Sequence, residues 1–281
     1  MDKRPVLFLD SGIGGLPYCG YFHRRNPDES LIYTADRANF PYGPKDKDEL
    51  AAALTALTSS LREAFRPKLA ALVCNTASVS ALTVLRETFP DLPFVGTVPA
   101  VKPAVLGSVS RKIGILGTER TVADPCIGEL AARYGKDCAV IALAAPKLVE
   151  WVEYRHAGAT AEERRDAVDP SVDYFRKQGA DALVLGCTHF LFLKNEFKAA
   201  AGPGIRVYDS MEGVSRRIET LLEEQDLRAP SPAGPETGAP LADKPANLLI
   251  VTGPSSADGD GVWQTRARQF GLVLGALASP A

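Results

Sequence analysis

The sequence has no block of lysine and arginine, no long apolar run and no closely spaced cysteine pair, and each absence removes a class of function. Its 32 basic and 34 acidic residues give a net charge of −2, so it lacks the electrostatic footprint that nucleic acid or an anionic membrane requires. No apolar stretch approaches the ~18 residues of a membrane span, and Pro5 to Leu9 is too short for the apolar region of a signal peptide. The cysteines, Cys19, Cys74, Cys126, Cys138 and Cys187, are odd in number, scattered and never spaced C-x-x-C. That argues against both a disulfide framework and a zinc site. The expected setting is a reducing cytoplasm, and the expected partners are small molecules or protein.

What is there is an ordinary globular composition, 46% apolar and 23% charged over 281 residues, enough for about two domains. Short runs that are almost wholly apolar recur along the chain: Val6 to Leu9, Leu31 to Thr34, Leu69 to Val73, Phe94 to Thr97, Ile113 to Leu116, Cys138 to Leu143, Ala182 to Leu185 and Ile205 to Tyr208. Between them lie segments such as Asp48 to Phe65 and Val79 to Phe89, whose apolar residues return every three or four positions, as in amphipathic helices. Apolar strands alternating with helices predict βαβ units and parallel sheets covered on both faces. Residues 228–247, dominated by Pro, Ala and Gly, read as an extended surface linker. A strand over Leu248 to Thr252 and a helix over Trp263 to Leu274 are expected after it.

Leu69 to Thr76 and Ala180 to His189 share a plan, an apolar strand ending in Cys close to Thr, one small α/β domain apart. A duplicated pair of domains facing each other would bring both strand ends into one cleft. The chain would cross near Pro99 and Pro103 and return near 208. The division is therefore 1–98 with 208–281, and 99–207.

In parallel sheets ligands bind beyond the carboxyl ends of strands, which points to Asp10-Ser11, Cys74-Asn75-Thr76, Thr118 and Cys187-Thr188-His189. The glycine-rich turn Asp10 to Gly15 could hold an anion at a helix N-terminus. It lacks the phosphate-loop patterns, however, and Asp10 would repel phosphate. An ordinary tight turn, or a site for an amino group, fits better. Cys19, Cys126 and Cys138 read as core residues. Cys74 and Cys187 each precede a helix start, where the macrodipole favours thiolate. Two thiols from opposite domains suit inversion of a carbon stereocentre, which needs a base on one face and an acid on the other; disulfide exchange wants a closer pair. His189 could orient or protonate Cys187, or serve as a hydrogen-bonded structural residue. Pro41-Tyr42-Gly43 reads as a rigid turn, and Glu153 as a solvated helix-face residue.

The motifs Asp10-Ser-Gly-Ile-Gly-Gly-Leu16, Pro41-Tyr-Gly43, Cys74-Asn-Thr-Ala-Ser78, Ile113-Gly-Ile-Leu-Gly-Thr118 and Leu185-Gly-Cys-Thr-His189 stand in the order and at the spacings of one family. Over nearly its whole length the chain resembles the glutamate racemases, of the cofactor-independent aspartate/glutamate racemase superfamily. The resemblance implies two flavodoxin-like α/β domains, pseudo-symmetric, with the active site in the cleft between them. It implies that Cys74 deprotonates D-glutamate with Asp10 in support, and that Cys187 deprotonates L-glutamate with His189 and Glu153 in support. Ser11, Tyr42, Gly43, Asn75, Thr76, Thr118, Thr121 and Thr188, together with Asp10 and His189, would hold the substrate. No metal or pyridoxal cofactor is implied. The product D-glutamate would feed peptidoglycan synthesis, and a homodimer is left open.

The sequence departs from the family's usual pattern at Arg37, at Glu150 and at Phe190-Leu191. Rival readings are an aspartate racemase, a non-catalytic binding protein on the same fold, and a phosphate-binding module built on Ser11 to Gly15.

Overall fold

In the computed structural model, which describes residues 2–230, 247–253 and 257–277, strands and helices alternate along the chain. The linker expected over 228–247 falls largely outside the described residues. The strands are β1 Val6–Asp10, β2 Leu31–Ala35, β3 Leu69–Leu72, β4 Phe94–Gly96, β5 Lys112–Gly117, β6 Ala139–Ala144, β7 Ala182–Leu185, β8 Arg206–Tyr208, β9 Leu248–Val251 and β10 Val273–Gly275. They form two sheets, ordered β10-β9-β2-β1-β3-β4 and β6-β5-β7-β8, and every pairing is parallel. The segment β2-β1-β3-β4 has the same order as β6-β5-β7-β8. The pseudo-symmetry implied by the sequence is thus present as a repeated topology.

β1, β3 and β7 are buried at every residue, as apolar strands with helices on both faces should be. β6, at the edge of the second sheet, is half-exposed. The helix Lys47–Phe65 starts where the Asp46 carboxylate accepts from the backbone N–H groups of Asp48 and Glu49, a capping arrangement that satisfies two otherwise orphaned donors. The helix Asn75–Thr88 begins four residues before its amphipathic repeat, because its first turn is buried on all sides at the strand end. Near the C-terminus the expected helix is interrupted: it runs Ala257–Gln269, Gly271 takes a left-handed φ of 71° that turns the chain, and β10 pairs with β9. Only glycine adopts that conformation without steric cost.

The helix Met211–Glu224 leads the chain back from β8 to the first sheet. It docks on the helix Leu16–Arg25 through a Tyr18 to Ser210 hydroxyl contact of 2.8 Å and an Arg25 to Glu219 ion pair of 2.9 Å. Among the described residues no helix is long and apolar enough to cross a membrane.

Candidate active site

In each sheet the chain switches direction beside the first strand laid down, between β1 and β3 and between β5 and β7, and such switch points open a crevice at the carboxyl ends of the strands. Cys74 follows β3 and precedes the helix Asn75–Thr88. Cys187 follows β7 and precedes the 3-10 helix Thr188–Leu193. Both thiols are free, and both line one cavity of about 370 Å³ together with Ser11, Tyr42, Gly43, Thr76, Thr118 and His189. Residues separated by more than a hundred positions therefore face a common space from opposite lobes.

On the Cys74 side, Asp10 is wholly buried. Its Oδ1 accepts from the Ser11 backbone N–H at 2.5 Å, and its Oδ2 accepts from the Thr188 hydroxyl of the other lobe at 3.0 Å. Burial pushes the Asp10 carboxyl up from its usual range, against the pull of the nearby His189 charge. Burial, and then the Asp10 charge, push the Cys74 thiol well up. The backbone N–H of Ala77 acts in the opposite sense and is outweighed. The thiolate expected at both helix starts is therefore disfavoured at Cys74, because desolvation opposes any buried anion.

The Cys187 side has a different chemistry. His189 Nδ1 lies 3.9 Å from Cys187 Sγ, and His189 Nε2 lies 2.9 Å from Glu153 Oε2. Glu153 Oε2 also accepts from the Ile13 backbone N–H at 3.0 Å, while Arg37 Nη1 and Arg266 Nη1 stand 3.4 Å and 3.9 Å from its Oε1. Glu153 is only 1% exposed, which overturns its reading as a solvated residue: the helix Pro146–Tyr154 turns this face toward the glycine-rich loop of the opposite lobe. Burial opposes charge on both members of the pair. Even so, the hydrogen bond to His189 helps hold the Glu153 carboxyl below its usual range, and the contacts with Cys187 and Glu153 hold the imidazole well above its own.

The glycine-rich turn gains its explanation here. A methyl group at Gly12 would stand 2.3 Å from Glu153 Oε2, and one at Gly14 would stand 2.4 Å from His189 Nδ1. These glycines let the acid and the imidazole of one lobe reach the backbone of the other.

The remaining expected residues divide between the cavity wall and its support. Thr76 Oγ1 and Thr118 Oγ1 meet across the lobes at 3.0 Å, and Thr118 donates to Thr121 at 3.0 Å. Thr121 is wholly buried behind Thr118, as Thr188 is behind Asp10. Tyr42 lines the cavity, but its hydroxyl donates to Asp36 at 2.8 Å. Asn75 is buried, and neither its amide nitrogen nor its amide oxygen has a hydrogen-bond partner. The wall also includes Glu150, a departure from the family's usual pattern, and Phe40, Glu119, Pro146 and Val149, which carry no motif; Glu119 is the residue after Thr118 at a strand end. Arg266 sits on the helix Ala257–Gln269, far from every motif, and carried no sequence signal. A larger cavity of about 540 Å³, bordered by His156, Arg164 and Arg266, contains neither thiol. Among the described residues no group of three or more His, Cys, Asp or Glu is arranged to hold a metal ion.

The Asp/Glu/hydantoin racemase family model matches residues 21–215. The glutamate racemase of Sphingopyxis alaskensis is 40% identical over 259 residues, covering 89% of this chain and 94% of that one. The glutamate racemase of Treponema pallidum is 40% identical over 238 residues, covering 85% and 88%. Among solved structures, Escherichia coli glutamate racemase in complex with L-glutamate and the activator UDP-MurNAc-Ala superposes with a TM-score of 0.81 at 31% identity, covering 99% of this chain and 100% of that one.

Proposed function

This chain belongs to the Asp/Glu/hydantoin racemase family, and on that premise we propose that it interconverts L- and D-glutamate with one of Cys74 and Cys187 removing the α-proton and the other delivering a different proton to the opposite face. The observation that carries the proposal is the opposition of two free thiols across one cavity, each with its own supporting group. Starting from L-glutamate, the Cys187 thiolate removes the α-proton from one face while the Cys74 thiol delivers a proton to the other. The raised Cys74 thiol supports this assignment, since it keeps its proton at neutral pH. A protonated His189 faces Cys187 Sγ, and Glu153 neutralises the imidazolium from its far side. In the reverse direction Cys74 acts as base, and the buried Asp10 accepts or returns its proton. General acid–base steps of this kind each contribute typically 10²–10⁴-fold in rate.

The hydroxyls of Ser11, Thr76 and Thr118 and the unpartnered amide of Asn75 are the polar groups we assign to the substrate's carboxylates and ammonium, with Thr121 and Thr188 holding their neighbours in place. The division into 1–98 with 208–281 and 99–207 is part of the same proposal; it is supported by sheet membership, although β8 extends the second sheet to Tyr208. So are a cytoplasmic location, which the unpaired cysteines support, and delivery of D-glutamate to peptidoglycan synthesis. The test is direct: purified protein is incubated with L-glutamate, and separately with L-aspartate, without added cofactor, while optical rotation is followed. Decay of rotation with glutamate is expected. Decay with aspartate alone would assign the other substrate, and no decay with either would overturn the racemase reading.

A further inference from the structure

Arg37 stands on the 3-10 helix Arg37–Asn39, just after β2. Its contacts reach into the opposite lobe. The guanidinium carbon lies 4.6 Å from the centre of the Phe40 ring and 5.3 Å from that of Tyr154, Nη2 contacts the Tyr154 hydroxyl at 3.2 Å, and Nη1 lies 3.4 Å from Glu153 Oε1. Phe40 in turn packs 6.1 Å from the His189 ring, and Tyr154 meets Phe40 edge-on at 6.0 Å. One side chain thus touches the Glu153–His189 pair by two routes, through the carboxylate and through the Phe40 ring.

We propose that Arg37 is a positioning residue for the Cys187 half of the reaction, a bridge between lobes that holds the Glu153 carboxylate against His189 and so fixes the imidazole beneath Cys187. The proposal rests on the racemase reading. Three observations favour it over an incidental surface pair. Glu153 is 1% exposed and the Arg37 side chain 23%, so solvent screens this pair less than the exposed pairs that contribute almost nothing. Arg37 does not line the cavity, which separates it from a substrate-binding arginine. Arg266 holds the same residue mainly by its backbone: its Nη2 donates to the Glu153 carbonyl at 2.6 Å and its guanidinium stacks on Trp263 of its own helix at 4.9 Å, while its Nη1 stands 3.9 Å from Oε1, farther than Arg37 at 3.4 Å. Arg266 anchors the backbone, and Arg37 approaches the carboxylate from the β2 side with its guanidinium near two aromatic rings, Phe40 and Tyr154. A guanidinium suits that geometry and an ammonium does not.

The charge of Arg37 also bears on His189 by way of Glu153. The groups facing the imidazole are Cys187 on its own segment, Asp10 at the end of β1 and Glu153 on the helix Pro146–Tyr154, and Glu153 is faced in turn by Arg37 and Arg266. Removing the Arg37 cation leaves the carboxylate less neutralised, so it favours imidazolium more strongly and the His189 titration midpoint moves up. A lysine at this position keeps the charge without the packing, which separates the two contributions.

The experiment compares the full-length parent, Arg37→Met and Arg37→Lys, with circular dichroism to establish folding. Glutamate racemization gives kcat/KM, and ¹⁵N imidazole NMR, assigned with His189→Gln, gives the His189 midpoint. Arg37→Met is expected to lower kcat/KM roughly ten- to a hundredfold, the loss that small misplacements of catalytic groups produce, and to raise the midpoint. Arg37→Lys is expected to hold the midpoint near that of the parent and to recover part of the rate. An unchanged midpoint in Arg37→Met, an unchanged rate, or a lysine variant whose midpoint follows that of methionine would each overturn the proposal. A parent that turns over no glutamate would refute the racemase reading instead. The NMR comparison would then decide by itself whether Arg37 governs His189.

Discussion

His189 and Gly14 meet across the two lobes so closely that a single methyl group at position 14 would lie 2.4 Å from His189 Nδ1. Real carbon–nitrogen contacts are never that short, and the neighbour is a ring wedged between Glu153 and Cys187. Gly14→Ala must therefore move the imidazole or the loop. Overpacking of this kind costs about 1–3 kcal/mol of stability, and misplacement of the ring should lower kcat/KM roughly a hundredfold. Urea denaturation and glutamate racemization measured on the same variant check both effects. Full activity in Gly14→Ala would mean that His189 is not held where turnover needs it.

Cys74→Ala and Cys187→Ala should each abolish racemization in both directions, because under the proposed mechanism each thiol acts as base in one direction and as acid in the other. Cys126, half-buried on the second lobe and away from the cavity, is the internal control. Its replacement by alanine should change stability by about 1 kcal/mol and leave turnover intact. Substantial turnover in either of the first two variants would remove the two-thiol mechanism.

Isotope transfer separates two bases from one. Each thiol carries a single proton and they stand on opposite lobes, so racemization in D₂O should place solvent deuterium mainly in the product enantiomer at early times, while remaining substrate stays protiated. Chiral chromatography with mass detection reads this directly. Equal early labelling of both enantiomers would indicate one base serving both faces.

Stability should respond to pH through the Glu153–His189 pair. The His189 value is raised above its ordinary 6.5, so its contribution is fully present below 6.5 and is lost as pH climbs through the folded value. The Glu153 value is lowered from 4.5, so its contribution is present above 4.5 and is lost as pH falls through the folded value. Between these limits the pair contributes at its maximum. Urea midpoints of the parent minus those of Glu153→Gln, taken from pH 3 to 10, should trace a plateau with two falling shoulders. A flat difference would show that the pair is not coupled to folding.

Much of this arrangement was legible in the residues, and what escaped did so for physical reasons. The apolar runs that make up β3, β7 and β1 up to Leu9 announce parallel strands because few polar side chains are tolerated with helices on both faces, and Cys74 and Cys187 stand out because strand ends are where such sheets bind ligands. Val273–Gly275 escaped because three residues give no periodicity and the strand exists only by pairing with β9. Glu153 came into view only through the family resemblance, because helical spacing registers only which face a residue shares, and a carboxylate buried by a partner lobe looks the same in sequence as one in water. Arg37 was visible as a departure from the family pattern, but its ion pair with Glu153 is a contact between lobes that no local pattern encodes. The glycines at 12 and 14 look in sequence like turn formers, whereas in the fold they leave room for Glu153 and His189.

The strand order β2-β1-β3-β4 recurs as β6-β5-β7-β8, and under the proposed reaction this near-twofold plan meets a substrate pair that is itself related by reflection. Mirror-image amino acids have equal free energies in water, so the equilibrium constant of their exchange is one and kcat/KM must be the same from either side, whatever supports each thiol. In that reaction the repeated plan sets a hydrogen donor on each side of one carbon. Thermodynamics then left the two halves free to diverge, one toward a single buried carboxyl under Cys74 and the other toward an ion-paired imidazole under Cys187. Such drift can change how tightly each enantiomer is held and how fast it turns over. It cannot favour one hand at equilibrium, and selection had no reason to keep the two halves chemically alike.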